Sequence, residues 1–195
     1  NTFNHIGDLH GFMDGVSRLL SDDGAFVIEA PWAKDLLEHN EFDTIYHEHF
    51  SYFSFISVEM IFAAHGLRIF DVEEFPTHGG SLRIYACHEE EERTVSPAVS
   101  ELRAREEDEG VGTLAYYDRF DEQVKETKRG LLEFLVNARR DGKTVVGYGA
   151  PGKGNTLLNY CGVRTDFLDY TVDRNPNKQG MFLPGTHIPI HPPER

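Results

Sequence analysis

The fold is decided chiefly by one stretch of sequence, Lys143-Thr144-Val145-Val146-Gly147-Tyr148-Gly149-Ala150-Pro151-Gly152-Lys153-Gly154. Residues 143–149 of this stretch predict a strand, and its glycines predict a sharp turn. Beyond the turn the chain continues as a helix that includes Leu157, Leu158 and Tyr160, and a second strand is predicted at residues 167–172. A strand, a helix and another strand in this order are typical of a β-α-β unit.

The glycines of the turn form the pattern G-x-G-x-x-G-x-G, at Gly147, Gly149, Gly152 and Gly154. Glycine allows a positive φ and a close approach of the backbone, so that successive N–H groups can point at a phosphate. Asp173 follows Gly152 by 21 residues (173 − 152), about the distance at which a dinucleotide fold places its ribose-binding acid. Lys153 adds a positive charge. The pattern predicts a nucleotide or pyrophosphate site, with NAD as the default; a tight turn without a ligand is the alternative.

The N-terminal part of the chain has a different order of elements. Apolar residues at helical spacing predict a helix from Leu9 to Leu20, with Asp8 as its N-cap. A buried strand is predicted at residues 25–30, and a second helix follows with Ser57 as its cap. Two further strands are predicted, at Leu67 to Glu73 and at Ser81 to Cys87. This order is expected for the second half of an α/β sheet domain that ends in an antiparallel hairpin.

A region rich in Glu, Arg, Leu and Ala lies between these two parts. It predicts one helix near residues 97–109 and a longer one near 114–140. We therefore expect an α/β protein in three parts. These are a sheet domain at residues 1–88, a helical connector at 89–141 and a nucleotide-binding β-α-β domain at 142–195.

The charge of the chain limits its partners. With 33 acidic against 19 basic residues the formal net charge is −14, which argues against nucleic acid or an anionic membrane surface as partner. No apolar run approaches the roughly 20 residues of a membrane span. Cys87 and Cys161 lie far apart and lack the spacing of metal ligands, so we expect two reduced thiols. These features predict a soluble, acidic, cytoplasmic protein without a resident metal.

A second informative stretch is Asp43-Thr44-Ile45-Tyr46-His47-Glu48-His49-Phe50-Ser51-Tyr52-Phe53-Ser54. It gathers two imidazoles, a carboxylate and a phenol between apolar side chains. These groups exchange protons with a substrate near neutral pH. The stretch therefore predicts a site of proton transfer; a hydrogen-bonded, half-buried loop beside an aromatic cluster is the alternative.

Several motifs together resemble the S-adenosylmethionine-dependent C-methyltransferases of deoxysugar biosynthesis. They are the stretch at 43–54, the loop His78-Gly79-Gly80-Ser81-Leu82-Arg83, and the glycine turn with its continuation Asn155-Thr156-Leu157-Leu158-Asn159-Tyr160. The closing residues Asp173-Arg174-Asn175-Pro176-Asn177-Lys178-Gln179-Gly180, then Pro184-Gly185 and Ile188-Pro189-Ile190, also resemble that family. The likeness covers essentially the whole chain. Pro151 replaces an expected alanine, and proline is tolerated at a first helical position.

In that family a zinc-binding N-terminal module precedes a class I methyltransferase domain, and a Rossmann-like domain follows. The resemblance implies that this chain begins just after the fourth strand of the Rossmann-like methyltransferase sheet and stops early in the C-terminal domain. The segment with Asn4 and His5 would then line the pocket of the methyl donor. The zinc module and the glycine-rich donor loop would lie outside the chain. We therefore expect this chain to bind S-adenosylmethionine weakly; micromolar binding in calorimetry would contradict that.

The resemblance also implies catalytic roles. His49 would remove a proton α to the ketone of a nucleoside-diphosphate-linked deoxysugar, and Tyr46 would donate a hydrogen bond to the developing enolate. Glu48 would orient the sugar or the imidazole. The choice of His49 over His47 rests on the resemblance, and in an extended segment His47 would face the packing side.

Contacts with the substrate are expected at three places. Sugar hydroxyls or phosphate would meet His78, Ser81 and Arg83; for His78 a plain loop histidine is the alternative. The diphosphate would lie at the glycine turn, on Tyr148, Gly149, Lys153, Gly154 and Asn155. The nucleoside end would meet Asp173, Asn175 and Lys178.

Three other interpretations remain open. The glycine pattern alone fits an NAD(P)-dependent oxidoreductase, although no hydride-accepting substrate site is recognisable beside it. The chain also fits a non-catalytic module that binds nucleotide sugars. A metal site built from His47, His49 and His78 is the third, without a further clearly spaced ligand.

Overall fold

The computed structural model describes residues 2–195 and combines helices with strands, as expected for an α/β protein. The described chain divides into two compact units. The first comprises the residues up to Glu41 together with His47–Phe120, and the second comprises Phe42–Tyr46 together with Asp121–Arg195. The domain limits expected from the sequence stay a prediction, because compactness does not show which parts fold independently.

The helices among the described residues are α1 (Leu9–Leu19), α2 (Ala33–Glu38), α3 (Phe55–Ala63), α4 (Pro97–Glu109), α5 (Leu114–Tyr117), α6 (Phe120–Arg140) and α7 (Gly152–Cys161). Short 3-10 helices occur at Phe3–His5, Phe42–Thr44 and Thr77–Gly79. The strands are β1 (Phe26–Pro31), β2 (Leu67–Phe75), β3 (Ser81–His88), β4 (Gly147–Tyr148), β5 (Thr171–Val172) and β6 (Ile190–His191). No helix within residues 2–195 combines the length and the apolar character needed to cross a membrane.

The first unit is built on a three-stranded sheet in the order β1-β3-β2. The central strand β3 is antiparallel to both neighbours, so the predicted hairpin of β2 and β3 is confirmed. Its core contains large side chains that are almost completely buried, among them Phe55, Phe62 and Met13. These come from α1 and α3, which therefore pack against the sheet and cover it.

Local capping explains where the helices of this unit begin. Asp8 Oδ1 accepts a hydrogen bond from Gly11 N at 3.0 Å, which confirms Asp8 as the N-cap of α1. The prediction of Ser57 as the cap of α3 is wrong. Ser54 caps this helix, since its Oγ accepts a hydrogen bond from Ser57 N at 3.2 Å and the helix begins at Phe55.

The helices of the structure differ from the predicted ones at two further places. The helix expected near residues 114–140 is interrupted, because α5 ends at Tyr117 and α6 begins at Phe120. Helix α2 follows β1 directly and was not predicted. Its six residues are too few to display a helical periodicity in the sequence.

The second unit contains the predicted β-α-β arrangement. Strands β4 and β5 are parallel, and α7 connects them. A third strand, β6, pairs in parallel with β5, which gives the order β4-β5-β6. The strands are much shorter than the predicted ones at 143–149 and 167–172, with two residues each in β4 and β5. An apolar cluster supports the unit, and Val163 and Ile188 are fully buried in it.

Candidate functional site

The candidate catalytic stretch forms a turn. The backbone bends at Tyr46 and turns at His47 and Glu48. Successive side chains therefore do not alternate between two faces as they would in an extended segment. His47 is exposed, and the expectation that it faces the packing side is therefore wrong. Tyr46 belongs to the second unit, while His47, Glu48 and His49 belong to the first.

His5 and His49 lie side by side in the first unit. Their ring centroids are 4.8 Å apart with an interplanar angle of 65°. His5 Nδ1 lies 2.8 Å from the carbonyl oxygen of Glu48. A carbonyl oxygen can only accept, so the proton of a neutral His5 ring is on Nδ1 and a lone pair is left on Nε2. A residue expected to line the donor pocket thus contacts the proposed base.

Asn4 ties the same two segments together through its backbone. Its carbonyl oxygen accepts hydrogen bonds from Phe50 N at 2.9 Å and from Ser51 N at 3.4 Å. The Asn4 residue is 5% exposed, and its Oδ1 is buried without a hydrogen-bond partner. Because a buried, unpartnered amide oxygen is costly, this atom is suited to accept a hydrogen bond from a bound ligand.

Aromatic side chains continue this surface beyond His49. The ring of Tyr52 meets the His49 ring edge to face, with centroids 6.1 Å apart. Tyr52 and Phe50 are both exposed. His49 is therefore partly covered by its neighbours without being sealed off, as a base that meets a substrate requires.

The loop between β2 and β3 holds the predicted contacts for the sugar. His78 is exposed and has a positive φ of 56°. Ser81 is buried and donates its hydroxyl to the carbonyl oxygen of Thr77 at 2.9 Å. Ser81 thus closes the loop, and contact of Ser81 or His78 with a substrate stays a prediction.

Arg83 is held by neighbouring strands. Its Nη2 lies 2.9 Å from Glu29 Oε2, and its guanidinium stacks over the Phe75 ring at 4.3 Å. The hydrogen bond with Glu29 raises the pKa of Arg83 above its usual range. This cross-strand pair satisfies much of the guanidinium, and a role of Arg83 in substrate binding also stays a prediction.

Two carboxylates near this loop were not singled out in the sequence. A Cβ at Gly79 would overlap with the carboxylate of Glu41, and one at Gly80 would overlap with that of Asp35. Both glycines also have positive φ, at 88° and 135°. Burial raises the pKa of the Asp35 carboxyl. The consecutive glycines were the sequence signal for this close approach, but they do not reveal which side chain approaches.

In the second unit the glycine turn is closed by side chains from beyond β5. Gly149 has a φ of 99°, which suits glycine, and its N–H donates to the carbonyl oxygen of Val172 at 2.7 Å. Ala150 N donates to Asp173 Oδ2 at 2.7 Å, and Lys178 Nζ donates to Ala150 O at 2.8 Å. Asp173 and Lys178, which were expected to meet the nucleoside, therefore both contact the turn itself.

The first turn of α7 carries the residues expected to meet the diphosphate. Pro151 is the N-cap and Gly152 the first helical residue, so the proline stands one position before the expected one.

Asn155 Oδ1 is buried without a hydrogen-bond partner, whereas the Tyr148 side chain is largely exposed. The ring of Tyr46 lies against Gly152, with Cζ 4.0 Å from the position of a Cβ there. Asn175 Oδ1 accepts a hydrogen bond from Asn177 N at 3.0 Å.

No group of three or more His, Cys, Asp or Glu side chains within residues 2–195 is arranged to hold a metal ion, and this includes His47, His49 and His78. The resemblance leads us to expect zinc only in an N-terminal module, and this expectation stays a prediction.

Residues 76–195 match the sequence model of a protein family that is described as the C-methyltransferase C-terminal domain. The chain belongs to the C-methyltransferase family. It is also 42% identical over 193 residues to the C-methyltransferase NovU of Streptomyces niveus. That match covers 99% of the chain and 46% of NovU, so the chain spans about half the length of this curated relative. The resemblance on which the C-methyltransferase roles were based is thereby confirmed at the level of the family.

Proposed function

We propose that the protein with this chain transfers a methyl group from S-adenosylmethionine to carbon, next to the ketone of a nucleoside-diphosphate-linked deoxysugar in the cytoplasm. The observation that carries the proposal is the contact of His5 with His49 and with the carbonyl of Glu48 in a chain of the C-methyltransferase family. This contact brings a residue of the proposed donor segment to the proposed base. Methyl transfer to carbon requires that the methyl donor and the base both reach the same substrate carbon.

The proposed donor segment fits a ligand with N–H groups. Asn4 Oδ1 is a buried acceptor without a partner, and His5 lies next to it in the chain. Asn4 and His5 are the residues of this chain that would hold S-adenosylmethionine. When bound, the donor supplies an electrophilic methyl group.

The chemistry of the chain itself is a proton transfer. His49 takes the proton from the carbon α to the ketone, and the electron pair of that C–H bond becomes the enolate π bond. The negative charge then develops on the ketone oxygen, where the phenol of Tyr46 donates a hydrogen bond. Glu48 holds His5 through its backbone carbonyl, and the Glu48 residue is exposed, so its carboxylate can orient the sugar.

The proposed place of the diphosphate is the glycine turn and the first turn of α7. Lys153 supplies positive charge, and N–H groups at the start of a helix favour an anion. Asn155 presents a buried oxygen without a partner, which suits a hydroxyl or an N–H of the ligand better than a phosphate. Tyr148, Gly149 and Gly154 form the remaining surface of this turn.

The test is methyl transfer by the protein at its natural length. The enzyme is incubated with S-adenosylmethionine and a panel of nucleoside-diphosphate keto-sugars, and each sugar is followed by mass spectrometry. We expect one sugar nucleotide to gain one CH2, with loss of deuterium placed at the α carbon. Methyl gain on a sugar oxygen with the α deuterium retained would contradict the proposal, as would an absence of methyl gain throughout the panel.

A further inference from the structure

We propose that Glu106 and Trp32 are positioning residues, which fix the place of the base His49 relative to the loop at residues 78–83. The proposal rests on the proposed function, in which His49 takes the α proton and this loop meets the sugar. All of these residues belong to the first unit. Glu106 and Trp32 would act on the reaction through hydrogen bonds within the protein and without touching the substrate.

The Glu106 carboxylate joins three segments of the first unit. It extends from α4 and is fully buried. Its Oε1 accepts hydrogen bonds from Trp32 Nε1 at 2.6 Å and from Phe55 N at 2.8 Å, and its Oε2 accepts from Ile56 N at 2.9 Å. A carboxylate only accepts, so it suits three donors. Glu106 therefore links α4 both to the segment after β1 and to the start of α3.

Capping of α3 does not by itself account for this buried carboxylate. Ser54 already accepts a hydrogen bond from Ser57 N at the same helix start. Burial of a carboxylate is costly unless its hydrogen bonds compensate. The hydrogen bond that Glu106 makes outside the helix goes to the Trp32 ring, which indicates that the link between Trp32 and α3 is its distinctive contribution.

Trp32 extends this link to the loop through its backbone. Its N–H donates to the carbonyl oxygen of Gly80 at 3.0 Å, directly after the end of β1. Its ring is buried, and the guanidinium carbon of Arg105 lies 5.1 Å from the ring centroid, a cation–π contact. Two consecutive residues of α4, Arg105 and Glu106, therefore hold the ring of the residue that holds Gly80.

The segment that follows the base is attached to the same support. Ala33 N donates to Phe53 O at 2.8 Å, and Trp32 forms a parallel bridge with Phe53. His49 precedes Phe53 by four residues, and the residues between them belong to no helix or strand. The position of His49 therefore depends on where Phe53 and the start of α3 are held, and Trp32 and Glu106 hold both.

The test uses the variants Glu106→Gln and Trp32→Phe in the natural-length enzyme. Glutamine has one side-chain acceptor oxygen in place of two, and phenylalanine has no N–H, so each change disturbs the hydrogen bond between the two residues. A small displacement of a base from its substrate lowers the rate strongly, and we expect kcat to fall by about tenfold in each variant. Loss of α deuterium from the sugar and methyl transfer should fall together.

Leu102→Ala is the matched control. Leu102 lies four residues before Glu106 on α4 and is 3% exposed in the core of the first unit. Removal of a buried leucine side chain should destabilise the unit at least as strongly as Glu106→Gln does, but it breaks no hydrogen bond. All variants are assayed at a temperature at which their unfolding curves show them to be folded. We expect Leu102→Ala to retain the wild-type kcat; a loss equal to that of Glu106→Gln would overturn the proposal.

The double variant of Glu106→Gln and Trp32→Phe shows whether the two residues act through one link. If they do, its kcat should be close to that of either single variant, about tenfold below the wild type, because coupled residues are not additive. A loss equal to the product of the two single effects, about a hundredfold, would show independent action and overturn the proposal.

NMR of the same proteins separates this proposal from the proposed function. The resonances of the His49 ring and of the Gly80 amide should both shift in Trp32→Phe and in Glu106→Gln, and both should keep their wild-type positions in Leu102→Ala. Trp32→Phe alone gives this readout should Glu106→Gln not fold. Unshifted resonances at either residue would overturn the link. An enzyme that methylates no sugar of the panel would refute the proposed function alone, because the resonances still decide whether Glu106 and Trp32 place His49 and Gly80.

Discussion

Glu106 accepts a hydrogen bond from Trp32 Nε1 at 2.6 Å, although the Glu106 side chain is fully buried. The same carboxylate accepts from Phe55 N at 2.8 Å and from Ile56 N at 2.9 Å. Phe55 and Ile56 are the first residues of α3, so a side chain of α4 caps the N-terminus of another helix. These hydrogen bonds of Glu106 hold the N-terminus of α3 in position, and the side chains of α3 fill much of the core of the first unit.

Replacing Glu106 with Gln should therefore destabilise the first unit. The amide has one acceptor oxygen, and its NH2 group would face a donor, so at least one buried N–H loses its partner. We expect a loss of about 2 kcal/mol in the free energy of unfolding, measured by urea denaturation. Glu101→Gln, an exposed position on the same helix, is the control and should change stability by less than about 0.5 kcal/mol. Equal effects of both variants would contradict the capping role.

Two glycine-to-alanine variants should have opposite effects. Gly80 has a φ of 135° and the Asp35 carboxylate lies where a Cβ would be, so Gly80→Ala should cost about 2 kcal/mol. Gly15 lies inside α1, where a Cβ would meet no atom within 4 Å, and Gly15→Ala should stabilise by about 0.5–1 kcal/mol. Both changes are read from the midpoint of thermal unfolding. A stabilising Gly80→Ala would show that the loop can adopt another conformation.

The sequence predicted those parts of the fold that depend on neighbouring residues. Asp8 caps α1 because the cap and the amide it serves are three residues apart, and the hairpin of β2 and β3 follows from two adjacent strands. Ser54 and Ser57 show the limit of this reasoning. Either serine could cap α3, and only the backbone conformation at Ser54 decides between them.

The remaining features depend on contacts between distant residues. Glu106 belongs to a Glu-rich helix and is indistinguishable there from its solvated neighbours, since its partner Trp32 is 74 residues away. The spacing of Asp173 similarly does not reveal that its two oxygens accept hydrogen bonds from Ala150 N and Asn175 N. His47 was misplaced because alternation was applied to a segment that turns. The contact of His5 with His49 joins two segments that are distant in the sequence, and no spacing predicted it.

The stability of the first unit should also depend on the pH through Asp35. Burial raises the pKa of its carboxyl above the value of 3.8 that it has when unperturbed. Below that value the group is protonated in both the folded and the unfolded state. As the pH rises through the raised pKa, the folded state loses the stability that its more tightly bound proton provided.

Asp35→Asn should consequently be more stable than the wild type at pH 7, and the difference should shrink toward pH 3. Urea denaturation across this range measures it. Asp22→Asn, at an exposed position before β1, controls for the general change in net charge. A gain from Asp35→Asn that is independent of pH would show that its cause is not the titration of this carboxyl.

Comparison of two neighbouring histidines tests the proposed base most directly. His47 and His49 are two residues apart, but His47 is exposed while His49 contacts the rings of His5 and Tyr52. In the natural-length enzyme, His49→Asn should lower kcat by about a hundredfold or more, because an amide cannot take up the α proton. His47→Asn should leave kcat close to the wild-type value.

The two variants are compared by methyl transfer and by loss of α deuterium from the sugar, and both rates should fall together in His49→Asn. Retained deuterium loss in His49→Asn would assign proton abstraction to another group, and His5 would then be the nearest imidazole to replace.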